Sequence, residues 1–185
     1  MFTVFTIGHS NHPLEQFIEL LLRHRIELLA DIRRFPGSRK HPHFNRESLE
    51  ASLAAKNINY VWFEQLGGRR KASAESASPN QGLRNESFRN YADYMLTAEF
   101  QQAIDKLLAI AARRPTAIMC AEGLWWQCHR RLVSDYLLAN GHCVEHIFPN
   151  GQTKPHVMTP EARSAADRVT YPASKTLFDA DESIP

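Results

Sequence analysis

The sequence has few cysteines, no long hydrophobic run and almost no net charge, and each absence argues against a class of protein. Three cysteines, Cys120, Cys128 and Cys143, in 185 residues are too few for a disulfide framework. No apolar run approaches the roughly 18 residues that a membrane-spanning helix needs. The net charge of +2 argues against a surface that matches nucleic acid as a whole, so any basic character is local.

What is present is the composition of an ordinary globular chain of one mid-sized domain. The sequence is 43% hydrophobic and 23% charged, which argues against disorder. The first residues include neither a basic leader nor a long apolar core, so no signal peptide is expected. The reducing cytoplasm is the expected compartment, and there cysteines remain thiols. No membrane partner is expected, and a homodimer is compatible with the sequence.

Apolar periodicity predicts that strands and helices alternate along residues 1–150. The class is therefore α/β, with three layers: a mainly parallel sheet of about five strands and helices on both of its faces. Residues 151–185 are expected to form a C-terminal extension that packs on this domain, with a helix beginning at Thr159 and with frayed last residues. The five strands are expected at residues 2–7, 26–32, 59–63, 116–120 and 143–148, and a helix is expected from about residue 125 to residue 139.

Polar and titratable residues follow four of these predicted strands where each strand ends. In open α/β sheets, ligands bind beyond the carboxyl ends of the strands, so these side chains are expected to share one cleft. They are His9 and Ser10 after the first strand, Asp31 and Arg33 at the second, Arg69 after the third, and Cys120 and Glu122 at the fourth.

Cys120 is the leading catalytic candidate. It closes an apolar strand and precedes a predicted helix N-terminus, where free N–H groups and the helix dipole are expected to lower the pKa of the thiol. Glu122 is expected to act as a general acid or base in the same cleft, and His9 is the third catalytic candidate. The alternatives are a buried structural cysteine and a solvated loop carboxylate.

Basic residues near these strand ends predict an anion site. The loop at 33–46 contains five Arg and Lys residues and no acid before Glu47, and Arg69 extends it. Arg130 can clamp an anion bidentately, and His129 beside it is predicted to point inward. The alternatives are a solvated charged face and a core histidine. The predicted ligand-binding residues are Ser10, Asp31, Arg33, Arg39, Arg69, His129 and Arg130.

Metal binding is a weaker interpretation. Cys120, Glu122, Cys128, His129 and His9 could together supply four ligands. However, the sequence has neither a C-x-x-C pair nor an H-E-x-x-H helix, and neighbours 128 and 129 would point about 100° apart on a helix. The sequence therefore assigns no metal ligands and identifies no cofactor.

Several motifs together resemble the family catalogued as domain of unknown function 488. They are TIGHSN at 6–11, DIRRFPGSR at 31–39, FN at 44–45, LGGR at 66–69, CAEGLWWQCHRRL at 120–132 and PHVMTPEAR at 155–163. The resemblance covers roughly residues 3–150 and implies a small α/β domain without indicating an activity. It places Gly8, His9, Ser10, Asp31, Arg33, Cys120, Glu122, Cys128, His129 and Arg130 in the characteristic motifs.

The layout is also faintly similar to rhodanese and the related thiol phosphatases. In those proteins a cysteine loop cradles an anion and an arginine follows about five residues later. Here position 126 is Trp, and the nearest arginine is Arg130. This departure argues against sulfur-transfer or phosphatase chemistry.

The sequence thus supports three hypotheses of different classes. The first is a small thiol- or carboxylate-dependent transferase or hydrolase, with a cleft that binds an anionic small molecule or a nucleic-acid phosphate around Cys120 and Glu122. The second is a non-catalytic nucleic-acid-binding module that uses the loop at 33–46. The third is a structural or metal-binding domain.

Overall fold

The computed structural model describes residues 1–72, 77–165 and 168–173 of the chain. Its centre is a six-stranded sheet in which five strands are parallel and the last, at one edge, is antiparallel to its neighbour. The strand order is β3-β2-β4-β1-β5-β6. The strands are β1 (Thr3–Gly8), β2 (Leu28–Asp31), β3 (Asn59–Trp62), β4 (Thr116–Cys120), β5 (Cys143–Ile147) and β6 (Thr153–Pro155).

Five α-helices cover the two faces of this sheet: α1 (Leu14–Arg23), α2 (Arg46–Ala54), α3 (Glu86–Met95), α4 (Ala98–Ala111) and α5 (Arg130–Ala139). Successive residues of a strand point to opposite faces of the sheet, so each strand contributes side chains to the hydrophobic core on either face. Leu29 packs with residues of α1 and α2, whereas Leu28 and Ala30 pack with residues of α3, α4 and α5. The predicted three-layer α/β fold is confirmed. None of the helices in the described ranges is long and apolar enough to cross a membrane.

The C-terminal residues add strands instead of the helix predicted at Thr159, which was wrong. Residues 160–161 form a turn, and a hairpin of β7 (Arg163–Ala165) and β8 (Arg168–Thr170) follows. Thr159 does not cap a helix because its amide donates to Asp135 Oδ1 and its hydroxyl accepts from Arg131 Nε. Buried Tyr171 donates its amide to Asn80 Oδ1. The predicted fraying concerns residues 179–185, which lie outside the described residues.

The helix predicted from residue 125 also begins later than expected. Residues Trp125–Gln127 form a single 3-10 turn, and α5 starts only at Arg130. Cys128 lies between them in an extended conformation, with φ −136° and ψ 170°. This break moves the helix N-terminus away from Cys120 and places it directly after Cys128.

Candidate functional site

The carboxyl ends of β1, β2 and β4 meet at one edge of the sheet. Gly8 pairs with Cys120 across β1 and β4, and Asp31 pairs with Met119 across β2 and β4. The loops that follow these strands surround a cleft of about 990 Å³. Of the predicted site residues, seven line it: His9, Ser10, Arg33, Arg69, Cys120, Glu122 and His129.

Three other predicted residues lie elsewhere. Asp31 and Arg130 are almost fully buried behind the lining side chains, and Arg39 is exposed outside the cleft. Cys128, Lys40 and other residues outside the predicted site set also line the cleft.

Two glycines allow the walls of the cleft to approach each other. A Cβ atom on Gly8 would collide with the backbone carbonyl of Glu122, because the loop after β4 crosses directly over the end of β1. A Cβ atom on Gly68 would lie 2.9 Å from Nδ1 of His129. The glycines of the GHS and LGGR motifs therefore serve close packing around the cleft floor.

Arg33 is held by internal partners and is not a free anion clamp. Its Nε donates to Asp31 Oδ1 over 2.9 Å, and Tyr60 donates its hydroxyl to Asp31 Oδ2 over 2.6 Å. Burial alone would lower the pKa of Arg33, but the hydrogen bonds and charge of Asp31 raise it. The salt bridge balances the arginine charge within the protein.

The same pair positions His9. Nη1 of Arg33 lies 3.3 Å from His9 Nε2, and His9 Nδ1 lies 3.0 Å from the carbonyl oxygen of Ser10. Because the guanidinium is a donor only, Nε2 accepts and Nδ1 carries the proton. Burial, followed by the charge of Arg33, lowers the pKa of His9 to about 4. His9 is therefore neutral near pH 7, with its single N–H directed at a backbone carbonyl.

The floor of the cleft holds two cysteines and a buried arginine. Sγ of Cys120 lies 2.9 Å from Sγ of Cys128. Cys128 Sγ also accepts from the backbone amide of Arg130 at 3.4 Å and from its Nε at 3.3 Å. The other guanidinium nitrogens donate to Thr6 Oγ1 and to the carbonyl oxygens of Glu122 and Gly123.

The environment of Arg130 indicates that Cys128 is the thiolate. Arg130 is 1% exposed, and among the described residues no carboxylate forms a salt bridge with it. A buried cation requires a counter-ion, and the thiols of Cys120 and Cys128 beside the guanidinium can supply one. Of the two, Cys128 accepts from both the backbone amide and the Nε of Arg130. Burial alone would raise the pKa of Cys128, but the hydrogen bond from Cys120 and the charge of Arg130 hold it well below its ordinary value.

The pKa shift expected for Cys120 was therefore wrong. Burial and the hydrogen bond to Cys128 raise the pKa of Cys120 well above its ordinary value. The predicted mechanism, a helix N-terminus next to a thiol, operates instead on Cys128, because α5 begins two residues after it. In the resulting pair, Cys120 donates its S–H to the Cys128 thiolate.

His129 completes the floor and is tied to the neighbouring strand. Its Nε2 donates to the carbonyl oxygen of Ile32 over 2.8 Å, which leaves Nδ1 without a proton beside Gly68. Burial lowers the pKa of His129 and keeps the ring neutral. His129 thus presents a lone pair at the wall of the cleft.

Cys120, Cys128 and His129 are also the residues that could hold a metal ion. One ligand atom from each lies within 4.8 Å of the others. Two thiolates on one tetrahedral zinc ion would be about 3.8 Å apart, given Zn–S bonds of about 2.3 Å. The observed separation of 2.9 Å is shorter, and the guanidinium of Arg130 already supplies the cluster with a positive charge. The guanidinium can therefore balance a Cys128 thiolate without a metal ion.

The family model described as "Domain of unknown function DUF488" matches residues 13–137, which is more than half of the chain. The chain belongs to this family. No curated protein and no solved structure matches it. The family resemblance predicted from the motifs is thus confirmed.

In this DUF488 protein, four of the six motifs noted in the sequence, those at 6–11, 31–39, 66–69 and 120–132, contribute residues to one cleft. The DIR motif supplies the Asp31–Arg33 salt bridge, and the CHR motif supplies the Cys128 thiolate, the His129 lone pair and the buried Arg130. Ser10 and Arg69, from the GHS and LGGR motifs, have positive φ angles of 46° and 59°. Such angles are uncommon for residues other than glycine and are often found at functional sites.

The structure also shows a buried polar chain that the sequence analysis missed. Thr6 Oγ1 lies 2.7 Å from His146 Nδ1, His146 Nε2 lies 3.0 Å from His156 Nδ1, and His156 Nε2 lies 2.9 Å from Asp135 Oδ1. Tyr171 donates its hydroxyl to the other carboxylate oxygen, and Arg130 donates to Thr6. The chain therefore connects the C-terminal residues with the arginine of the site.

The only sign of this polar chain in the sequence was His146, a polar residue in a buried strand. His146 lies between Glu145 and Ile147 in β5, but its hydrogen-bond partners come from β1 and the C-terminal segment. Trp125 stacks on His146, with ring centroids 4.1 Å apart. Trp125, which lies between Cys120 and Cys128 in the sequence, thus covers this polar chain.

Proposed function

We propose that this DUF488 protein is a small enzyme that binds an anionic ligand in the cleft and acts on it through the Cys120–Cys128 pair. The phosphate of a nucleotide or nucleic acid is the proposed anion. The observation that carries this proposal is the buried Arg130, which has the Cys128 sulfur as its anionic partner at the floor of an open cleft. A thiol held as a thiolate is a nucleophile at neutral pH.

The mouth of the cleft supports an anionic ligand. Lys40 and Arg69 are exposed, line the cleft, and form no salt bridge within the described part of the chain. Arg34 also lines it, although its Nη1 lies 3.3 Å from Glu64. Glu122 is the only carboxylate among the described lining residues. The positive charges at the mouth therefore outnumber the negative ones and would attract an anion.

The proposed roles follow from position. The Cys128 thiolate is the nucleophile, and Cys120 donates the hydrogen bond that stabilises it. Glu122, exposed at the mouth, is the proposed general acid or base, and neutral His9 and His129 orient the ligand. Asp31, Arg33 and Arg130 hold these groups in place. Thiolate chemistry of this kind suits a reducing compartment such as the cytoplasm.

Alkylation kinetics test both parts of this proposal. In the full chain with Cys143→Ser, iodoacetamide should label Cys128 with a pH midpoint well below the value of about 8.5 for a free thiol. Pyrophosphate and adenosine nucleotides should slow this labelling. Lys40→Ala and Arg69→Ala should reduce the protection several-fold, whereas Lys106→Ala, an exposed lysine on α4, should leave it unchanged. Labelling with an ordinary midpoint and without any anion effect would exclude the proposal.

A second candidate is a nucleic-acid-binding module without catalysis. The observation that favours it is Phe35, which is 66% exposed in the basic loop and lines the same cleft. An exposed aromatic ring among cations can stack on an unpaired base. Single-stranded DNA, duplex DNA and RNA should then bind with a steep salt dependence, and Phe35→Ala should weaken only single-strand binding. Absence of binding at low salt would refute this candidate.

A further inference from the structure

We propose that Cys120 and Cys128 form a reversible disulfide at the cleft floor, so that the cleft exchanges with low-molecular-weight disulfides. This inference rests on the proposed function in one respect, since it uses the same Cys128 thiolate. It adds an activity, thiol–disulfide exchange, and a chemical class of co-substrate.

The geometry favours a bond between these two sulfurs. They are 2.9 Å apart, and a disulfide bond is about 2.0 Å long, so closure requires a movement of about 0.9 Å. Both cysteines line the cleft, so a reagent in the cleft can approach them. Cys143 is exposed and belongs to β5, outside the cleft, which makes it a natural control thiol.

The exchange balances with a disulfide RSSR as the oxidant. The Cys128 thiolate attacks one sulfur of RSSR, forms a mixed disulfide and releases RS⁻. Cys120 then loses its proton to the released thiolate and attacks the Cys128 sulfur, which expels a second RS⁻. A solvent proton completes the second RSH, so two protein thiol groups are oxidised and one RSSR is reduced to two RSH.

Arg130 links the two steps. Once the Cys128 sulfur is part of a mixed disulfide, it no longer carries a charge, and the buried guanidinium loses its counter-ion. The positive charge of Arg130 then favours the ionisation of Cys120, the neighbouring thiol. The arginine thus activates first one sulfur and then the other without moving.

The same arginine sets the direction of the equilibrium. In the disulfide form neither sulfur is an anion, so Arg130 stabilises the reduced form specifically. The disulfide should therefore be readily reduced, unlike the structural disulfides of secreted proteins. Arg130→Met should shift the equilibrium with glutathione toward the disulfide by a factor on the order of a hundred, the effect of a hydrogen bond to a charged group.

The test uses the full chain with Cys143→Ser, equilibrated in mixtures of reduced and oxidised glutathione, quenched with acid and mapped without reduction. We expect a Cys120–Cys128 peptide pair at high oxidised-glutathione ratios. Cys120→Ser should accumulate a glutathione adduct on Cys128, and Cys128→Ser should react far more slowly. Because these measurements need no substitution of Arg130, they remain decisive if Arg130→Met does not fold.

Two outcomes would overturn the inference. One is the absence of the Cys120–Cys128 bond at every glutathione ratio. The other is a pair that resists oxidation because it binds one equivalent of added Zn²⁺, which would assign a metal site instead. If the bond is absent but anions still protect Cys128 from alkylation, only this inference fails. If the bond forms and no anion affects labelling, only the proposed function fails.

Discussion

The Cys128–Arg130 pair predicts that two chemically identical substitutions will differ strongly in cost. Cys120→Ser and Cys128→Ser each replace one buried sulfur of the same hydrogen-bonded pair. A serine at 120 still donates an O–H to the Cys128 thiolate. A serine at 128 does not ionise, so the 1% exposed guanidinium of Arg130 loses its anionic partner.

The expected magnitudes follow from this asymmetry. Removing one partner of a buried ion pair costs about 3–5 kcal/mol. Coulomb attraction at about 4 Å with an effective dielectric constant of about 20 gives about 4 kcal/mol, which agrees. Exchange of one neutral donor for another at position 120 should cost about 1 kcal/mol. For a chain of this size, the difference between the two variants corresponds to about 10 °C in Tm.

Urea unfolding of the two variants, with Cys143→Ser as the exposed control, measures this difference. In the background of Cys128→Ser, Arg130→Met should recover part of the lost free energy of unfolding, because it removes the unpaired charge. The ultraviolet thiolate absorbance at neutral pH should be kept in Cys120→Ser. Equal destabilisation by the two serines, or loss of the thiolate absorbance in Cys120→Ser, would refute this view of the pair.

Two further predictions concern the walls of the cleft and the buried polar chain. Gly8→Ala should destabilise the protein by about 1–3 kcal/mol, because the added Cβ would meet the Glu122 carbonyl. Gly37→Ala should be nearly neutral, because a Cβ there meets no atom within 4 Å. Equal unfolding midpoints for the two variants would contradict this prediction. Burial and the charges of His156 and Arg130 lower the pKa of His146 to about 3. An unfolded histidine has a pKa of about 6.5, so this stabilisation is complete above that pH and is lost as the pH falls. Between about pH 7.5 and about pH 5, the free energy of unfolding should fall by about 2 kcal/mol less in His146→Asn than in the parent chain. If both proteins lose the same free energy of unfolding, His146 is not the group that titrates.

The layers of the fold were predictable because hydrophobic periodicity reports burial. The strand at Thr116–Cys120 is apolar after its first residue and buried along its whole length, as expected for a strand covered on both faces. The C-terminal hairpin was not predictable from Thr159, since a capping residue and a residue that bonds Arg131 and Asp135 look identical in a sequence. The contacts that Thr159 makes in the folded protein determine which of these two roles it takes.

The candidate site was predictable in its position but not in its charge distribution. Parallel topology alone brings His9, Arg33 and Cys120 to one edge of the sheet. Which cysteine ionises depends on where the helix begins and on where Arg130 directs its guanidinium, and these depend on the break at Cys128. Likewise, the pairing of Arg33 with Asp31 required the buried geometry of both side chains.

The position of β1 has a consequence for any shortened version of this protein. β1 lies between β4 and β5 in the middle of the sheet, although it comes first in the chain and precedes the segment that the family model matches. A fragment cut to residues 13–137 would lose this central strand together with β5 and would leave the edge of β4 open. Such a fragment would expose backbone hydrogen-bonding groups of β4 and favour aggregation.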